Sequence, residues 1–296
     1  MNEIQQLLTL RDWLRWAVSR FQEADLFYGH GTDNAWDEAL ALILHALHLP
    51  QEVARDVLDA RLTEEEREAV LTLLNRRIKD RVPVPYLTHE AWFTGLPFYV
   101  DERVLIPRSP LGELIENHFS PWLTEPPEQI LDLCTGSGCI AIACAYAFPE
   151  AAVDASDLSE EALCIAKINV SRHHVEHQVS LIRSDLFDDL PQKKYGLIVS
   201  NPPYVDREDM QTLPAEYRHE PKGALQAGGD GLDIVMRILK NARDFLAPDG
   251  ILIVETGNSE AALIKKLPQT PFTWLEFSRG GGGVFMLHAE QLTEIA

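Results

Sequence analysis

Two hydrophobic patterns divide the chain. Up to about residue 80, apolar residues such as Leu7, Leu14 and Phe21 recur at the spacing of one face of an α-helix. Thr63-Glu64-Glu65-Glu66 has the pattern of a capping box that opens a further helix. We therefore predict a helical domain over residues 1–80. Its role is either to recognise a substrate or simply to stabilise the protein.

From Gln129 onward, short apolar runs alternate with helical patterns. Strands are predicted at 130–133, 152–155, 179–182, 195–199 and 251–255, and the helices between and after them include 159–172, 232–246 and 259–267. Such alternation is typical of a mostly parallel sheet with helices on both faces, which is an α/β fold. Two final strands flank Gly280 to Gly283, and their short link requires them to pair antiparallel.

Residues 81–104 separate the two patterns. Pro83 and Pro85 end the helical part. Aromatic residues on either side of Thr94-Gly95 are typical of a β-hairpin. We therefore predict a β-hairpin connector over 81–104 and an α/β domain over 105–296.

Charge and cysteine content narrow the possible partners. The 296 residues carry a net charge of −20, and such a surface repels nucleic-acid phosphates and anionic membranes while it attracts basic proteins. The four cysteines show neither metal-ligand spacing nor a disulfide pattern. We expect no metal, no direct nucleic-acid binding and no membrane association. Free thiols indicate a cytoplasmic protein.

Chemically useful residues follow the first three predicted strands, at the edge where such sheets bind ligands. In Asp132-Leu133-Cys134-Thr135-Gly136-Ser137-Gly138, two glycines allow a tight turn before a helix N-terminus. Asp157 ends the second strand, where an acid accepts hydrogen bonds from ribose hydroxyls. Asp185 follows the third strand, where it can bond an adenine amine while Leu186 and Phe187 pack on the ring. Three acids without a phosphate-binding lysine favour a positively charged nucleoside cofactor.

The fourth strand leads into Asn201-Pro202-Pro203-Tyr204. Both prolines restrict the backbone, which leaves the Asn201 side-chain oxygen and the Pro202 carbonyl as acceptors beside the Tyr204 ring. A planar amino group that donates two hydrogen bonds fits this arrangement. That group belongs to a glutamine or asparagine side chain, or to adenine or cytosine. A plain proline turn at the end of the strand is the structural alternative.

Taken together, DLCTGSG, Asp157, SDLF and NPPY resemble the class I S-adenosylmethionine-dependent methyltransferases. Further motifs make the chain similar to the HemK/PrmB family of protein glutamine methyltransferases: VLIPRSP (104–110), Glu220-Pro221, GGDGLD (228–233) and ETGNS (255–259). The resemblance implies a Rossmann-like sheet of seven strands in the order 3-2-1-4-5-7-6. Residues 209–221 are similar to the branch that modifies large-subunit ribosomal protein three, a basic substrate, rather than release factors.

The resemblance also implies roles for individual residues, with S-adenosyl-L-methionine as cofactor and S-adenosyl-L-homocysteine as product. The methionine part is expected to contact Cys134, Thr135, Gly136, Ser137 and Gly138. Asp157 is expected to hold the ribose, and Asp185 with Leu186 the adenine. The glutamine is expected to bind Asn201, Pro202, Pro203 and Tyr204; among them Asn201, Pro202 and Tyr204 are the catalytic candidates, and Asn201 also borders the cofactor. Family members often have glycine at the position of Cys134.

The sequence is also compatible with other functions. They are the same reaction on release factors, amino-methylation of adenine or cytosine in nucleic acid, and a non-catalytic module that keeps only the fold. The net charge of −20 argues against the nucleic-acid substrate. The long segment from Val205 to Asp230 is interpreted as a lid over substrate with a hinge at Gly228-Gly229, or else as a mobile surface excursion.

Overall fold

The computed structural model describes residues 3–294, and the chain divides into two compact units. The first unit runs to Glu90 and also contains Pro214–His219. The second unit contains Ala91–Leu213 and the chain from Glu220 onward. A short segment from late in the chain is therefore part of the N-terminal unit.

The first unit is helical. Its α-helices are α1 (Leu10–Glu23), α2 (Ala35–Ala46), α3 (Glu64–Lys79) and α4 (Val84–Thr88), with 3₁₀ turns at Glu3–Gln6, Arg55–Asp59 and Ala215–His219. Capping boxes open α1 at Thr9 and α3 at Thr63. Each threonine side chain accepts a hydrogen bond from the backbone N–H three residues later, and the acidic side chain at that later position accepts one from the threonine N–H. Trp13 and Phe21 of α1 are fully buried in the core of this unit.

A buried group of charges lies inside the first unit. Arg77 is fully buried; it donates from Nε to Glu38 at 2.7 Å and from Nη1 to Glu216 at 3.1 Å. Glu216 also accepts from the Phe27 amide at 3.1 Å and from Arg81 at 3.4 Å. Burial alone would raise the pKa of Glu216, but these hydrogen bonds outweigh it and hold the pKa below its ordinary value. Glu216 thus fixes Pro214–His219 in the first unit.

The second unit is the α/β part. It opens with a hairpin in which β1 (Ala91–Phe93) and β2 (Leu96–Phe98) pair antiparallel around Thr94-Gly95. The remaining elements are α5 (Leu111–Glu116), β3 (Gln129–Leu133), α6 (Cys139–Ala147), β4 (Ala152–Asp157), α7 (Glu160–Arg172), β5 (Val179–Arg183), β6 (Tyr195–Ser200), α8 (Asp209–Thr212), α9 (Lys222–Leu225), α10 (Asp233–Asn241), β7 (Leu246–Glu255), α11 (Glu260–Lys266), β8 (Thr273–Trp274) and β9 (Val284–His288). Within residues 3–294, none of the helices has the length and apolar character needed to cross a membrane.

Within the described residues, seven strands form the main sheet in the order β5-β4-β3-β6-β7-β9-β8. Strands β5, β4, β3, β6 and β7 are parallel, and β9 runs antiparallel to both β7 and β8. Counted along the sheet, this is the expected order 3-2-1-4-5-7-6. The predicted α/β class and seven-stranded sheet are confirmed.

Alternate side chains of the central strands supply two hydrophobic cores, one on each face of the sheet. Ile130 of β3 packs in one core with Ile140 of α6. Leu131 packs in the other core with Ile238 of α10. Both faces are covered, and sheets of this kind bind ligands at the edge formed by the carboxyl ends of their strands.

Candidate active site

The carboxyl ends of β3, β4, β5 and β6 border a cavity of about 320 Å³. The strand order reverses between β3 and β6, and such a switch point is where open α/β sheets bind ligands. The predicted site residues that line this cavity are Cys134, Thr135, Gly136, Ser137, Asp157, Asp185, Leu186, Asn201 and Pro203. The structure thus brings together side chains from four strand ends.

Gly138, Pro202 and Tyr204 lie beside this cavity rather than in its wall. Gly138 is the N-cap of α6 with φ 81, and a β-carbon there would lie 3.3 Å from the Ala166 side chain. Its absence of a side chain therefore allows α6 and α7 to pack closely. Gly136 has φ 55 and open space around it, so it provides the turn and leaves room at the cavity.

Cys134 has a backbone conformation that favours glycine. Its φ is 60, in the left-handed region that costs a non-glycine residue about 1–2 kcal/mol. Relief of this cost offsets the lost side-chain contacts, so we expect Cys134→Gly to change the free energy of unfolding by less than about 1 kcal/mol. Urea unfolding of the variant and of the parent protein checks this.

Cys144 provides the matched control, because it lies buried in the middle of α6. Cys144→Gly should destabilise the protein by about 1–3 kcal/mol, since glycine is a poor helix former and leaves a cavity. An equal loss of stability from both substitutions would contradict the account of Cys134.

Two buried carboxyl groups make the site electronegative. Asp157 accepts from the Gly136 amide and from the Ser159 amide, both at 2.9 Å, and burial raises its pKa. Asp132 is fully buried and burial raises its pKa to about 7. Oδ2 of Asp132 accepts from Thr135 at 2.5 Å, while its Oδ1 has no partner among residues 3–294. A cationic ligand would stabilise the ionised form of both groups, so the donor set fits a positively charged cofactor.

The third acid has a different environment. Asp185 is partly exposed and accepts from Arg237 at 2.9 Å. Leu186 lies next to it in the cavity wall with φ 56. Phe187 packs on Phe245 in the core, with ring centroids 4.8 Å apart, and its contact with an adenine ring stays a prediction. Within the described part of the chain, no cluster of His, Cys, Asp or Glu is arranged to hold a metal ion.

Asn201 follows β6 and is half-buried in the cavity wall. Within residues 3–294 its side-chain amide has no hydrogen-bond partner, whereas Ser200 before it donates to the Leu133 carbonyl at 2.8 Å. The end of β6 is thus fixed to β3 while the Asn201 amide remains available to a ligand. Pro202 is buried and Pro203 is half-buried.

Tyr204 faces a second cavity of about 590 Å³, which is also bordered by Glu255 and Gly257. Its hydroxyl donates to Glu255 at 2.9 Å. In the sequence, Glu255 stands out only as the first residue of the ETGNS motif, and no role was predicted for it. One sequence feature could have identified Glu255 as a site residue. It directly follows the apolar run Ile251 to Val254, and so lies at the same edge of the sheet as Asp157.

Arg108 forms an internal ion pair. Its two terminal nitrogens donate to the two oxygens of Glu220, each at 2.6 Å, and the Glu220 side chain is fully buried. The segment from Val205 to Asp230 is therefore anchored at Glu220. An isolated β-bridge between Val205 and Gln226 anchors it a second time. Closure of this segment over substrate stays a prediction.

Comparisons with known proteins agree with this architecture. Residues 117–232 match the model of the methyltransferase small domain, and residues 12–88 match the PrmC N-terminal domain. The ribosomal protein uL3 glutamine methyltransferase of Neisseria meningitidis serogroup A is 53% identical over 97% of the chain and 95% of that protein. The enzyme of the same name from Francisella tularensis is 45% identical over 98% of the chain and 93% of that protein.

A looser likeness exists to a solved structure. A methyltransferase from Pyrococcus furiosus is 19% identical, with a TM-score of 0.48, over 66% of this chain and 89% of that chain. The family of this chain is shown by the two relatives that match nearly all of it.

Proposed function

Because the chain belongs to the family of ribosomal protein uL3 glutamine methyltransferases, we propose that it methylates the side-chain amide nitrogen of a glutamine in uL3, with S-adenosyl-L-methionine as the methyl donor. The same reaction on release factors is not favoured, since both full-length relatives are named for uL3. A ribosomal protein as substrate agrees with a cytoplasmic enzyme.

The observation that carries the proposal is the available amide of Asn201 in the wall of the cavity. Its side-chain oxygen and the Pro202 carbonyl are two acceptors on a backbone that the prolines restrict. A glutamine amide has two N–H donors on one planar nitrogen. The two acceptors therefore match the group to be methylated.

The chemistry follows from the weakness of an amide nitrogen as a nucleophile, because its lone pair is delocalised into the carbonyl. Two hydrogen bonds to Asn201 and Pro202 orient the nitrogen and stabilise the positive charge that grows on it during transfer. The motif has no histidine or lysine, and none is required if the proton leaves after the methyl group has arrived. When bound, the cofactor supplies a methyl group on a sulfonium and leaves as S-adenosyl-L-homocysteine.

For the cofactor, we assign the wall between Cys134 and Ser137 to the methionine part, Asp157 to the ribose, and Asp185 with Leu186 to the adenine. The buried acids of the site support a cationic ligand, since a positive charge favours their ionised forms. Gly138 contributes through the packing of α6 on α7.

Replacement of Asp157 by asparagine should weaken cofactor binding about 10–100-fold, because the neutral amide loses charge-assisted hydrogen bonds to the ribose. The rate at saturating cofactor should change little, since Asp157 does not contact the substrate glutamine. Isothermal titration calorimetry measures the affinity for the cofactor, and steady-state kinetics measures the rate at saturating cofactor. The control is Glu160→Gln, which removes an exposed carboxylate three residues further along the chain and should leave the affinity unchanged.

The acidity of the chain supports a basic protein substrate. A net charge of −20 attracts a positively charged ribosomal protein over long distances and repels naked nucleic acid. We assign recognition of that substrate to the N-terminal helical unit, whose sequence matches the PrmC N-terminal domain.

The test is transfer of a labelled methyl group from S-adenosyl-L-methionine to total protein from cells that lack this enzyme. Mass spectrometry then identifies the labelled protein and residue. Methylglutamine in uL3 is the expected result, and the Asn201→Ala protein should add no label. Label in a release factor would move the enzyme to the other branch, and absence of protein label would refute the proposal.

A further inference from the structure

Glu255 ends β7 at the edge of the sheet that holds the site. Strands β6 and β7 are parallel, with Ser200 opposite Val254. Asn201 and Glu255 directly follow these two residues, so they lie at neighbouring positions of the same edge of the sheet. Glu255 is 3% exposed, which is rare for a carboxylate unless it has partners.

Both oxygens of this carboxylate have a hydroxyl partner. Tyr204 donates to Oε1 at 2.9 Å, and Ser109 donates to Oε2 at 2.5 Å. Ser109 lines the cofactor cavity, whereas Tyr204 and Glu255 line the second cavity. Glu255 therefore connects the wall of the cofactor cavity to the aromatic ring of the substrate motif.

Two further contacts hold Tyr204. The Ser259 hydroxyl donates to the Tyr204 carbonyl at 2.9 Å. Gly257 lies so close to the Tyr204 ring that a β-carbon would collide with it. The ring is thus held at its hydroxyl, on the side of Gly257, and through its own backbone, and the hydroxyl contact is made to a carboxylate.

We propose that Glu255 is a positioning residue for methyl transfer, which fixes the Tyr204 ring so that the substrate amide stacks on it in line with the acceptors of Asn201 and Pro202. This inference rests on the proposed function, because it assigns the ring to a substrate amide. Glu255 acts through Tyr204 and is not proposed to touch the substrate or the cofactor.

The ionisation of Glu255 gives the inference a pH signature. Burial raises the pKa of Glu255 to about 7, opposed by the hydrogen bonds from Ser109 and Tyr204 and by the nearby charge of Arg108. Among residues 3–294, these three groups act on the carboxylate. Above pH 7 both oxygens accept hydrogen bonds, and below pH 7 one of them carries a proton and no longer accepts in the same way. The positioning effect is therefore present above about pH 7 and is lost as the pH falls.

The experiment is a double-mutant cycle with Glu255→Gln and Tyr204→Phe, measured with purified uL3 at saturating cofactor near pH 8. Each single variant should lower kcat/KM for uL3 about tenfold, since each loses one charge-assisted hydrogen bond. The double variant should be no worse than the worse single variant, because both act through the same bond. The cofactor dissociation constant should remain that of the parent protein.

The pH profile supplies a readout that a purely structural role would not change. At saturating cofactor, the ratio of kcat/KM for the parent protein to kcat/KM for Glu255→Gln should fall towards one as the pH falls through about 7. Glu260→Gln is the matched control: Glu260 lines the same cavity and has no hydrogen bond to Tyr204 among the described residues. This variant should keep the parental kcat and pH profile.

Multiplicative losses in the double variant, or a ratio to Glu255→Gln that stays constant with pH, would overturn the inference while leaving the proposed function intact. Failure of the parent protein to methylate uL3 would overturn the proposed function first. In that case the cycle is measured on the protein that the labelling experiment identifies, and the same two outcomes decide the role of Glu255.

Discussion

Replacement of Asn201 by alanine should lower the rate of methyl transfer about 10²–10³-fold, the usual cost of removing one preorganised hydrogen-bonding group from a site of developing charge. Alanine removes one of the two acceptors proposed for the substrate amide, so the nitrogen loses both its orientation and the stabilisation of its growing charge. Cofactor affinity should stay nearly intact, because the acids and the glycine loop of the cavity are unchanged.

Single-turnover kinetics with purified uL3 and titration of the cofactor measure these two quantities separately. Asn241→Ala is the matched control, since Asn241 is exposed at the end of α10 and bonds only the Arg237 carbonyl among the described residues. That variant should behave as the parent. A turnover by Asn201→Ala equal to that of the parent would exclude Asn201 from the chemistry.

Replacement of Arg77 by leucine should destabilise the first unit by about 3–5 kcal/mol, the usual cost of breaking a buried ion pair from one side. Leucine leaves Glu38 and Glu216 buried without their shared cation. Burial already raises the pKa of Glu38, and Arg77 is the main group that opposes this effect. In the variant the pKa of Glu38 should rise further, so the lost stability should be partly regained as the pH falls and Glu38 takes up a proton.

Urea unfolding gives the free energy of unfolding of each variant. Hydrogen exchange of the α3 amides is measured alongside it, because α3 lies in the first unit and reports on that unit specifically. Arg11→Leu is the control, because the ion pair of Arg11 with Asp59 is exposed at both ends; it should cost less than about 1 kcal/mol. If Arg77→Leu and Arg11→Leu lower the free energy of unfolding by similar amounts, the buried ion pairs of Arg77 stabilise the protein no more than an exposed one.

The sheet could be predicted because both of its faces are covered, so β3 and β6 form apolar runs that stand out between helical patterns. The strand-end acids could be predicted for a related reason. Parallel strands place their carboxyl ends at one edge, so Asp157, Asp185 and Asn201 had to converge. The order of the strands came only from the resemblance to a family, since spacing along the chain does not determine it.

Element ends and distant partners were harder to predict. The helical pattern from 232 extends to Leu246, but α10 ends at Asn241 and Leu246 begins β7, where it pairs with Tyr195. Glu216 lies in a polar segment and resembles any exposed acid in sequence. Its burial depends on Arg77, 139 residues earlier, and local patterns contain no information on such a partner.

The place of Pro214–His219 in the first unit has a consequence for synthesis. Chains emerge from a ribosome at about 5–20 residues per second, so Arg77 is made on the order of ten seconds before Glu216. During that interval β3 to β6 have all been translated, while the N-terminal helices still lack one of their buried charges. The N-terminal unit, although first in sequence, therefore cannot complete its fold until most of the catalytic sheet has been made.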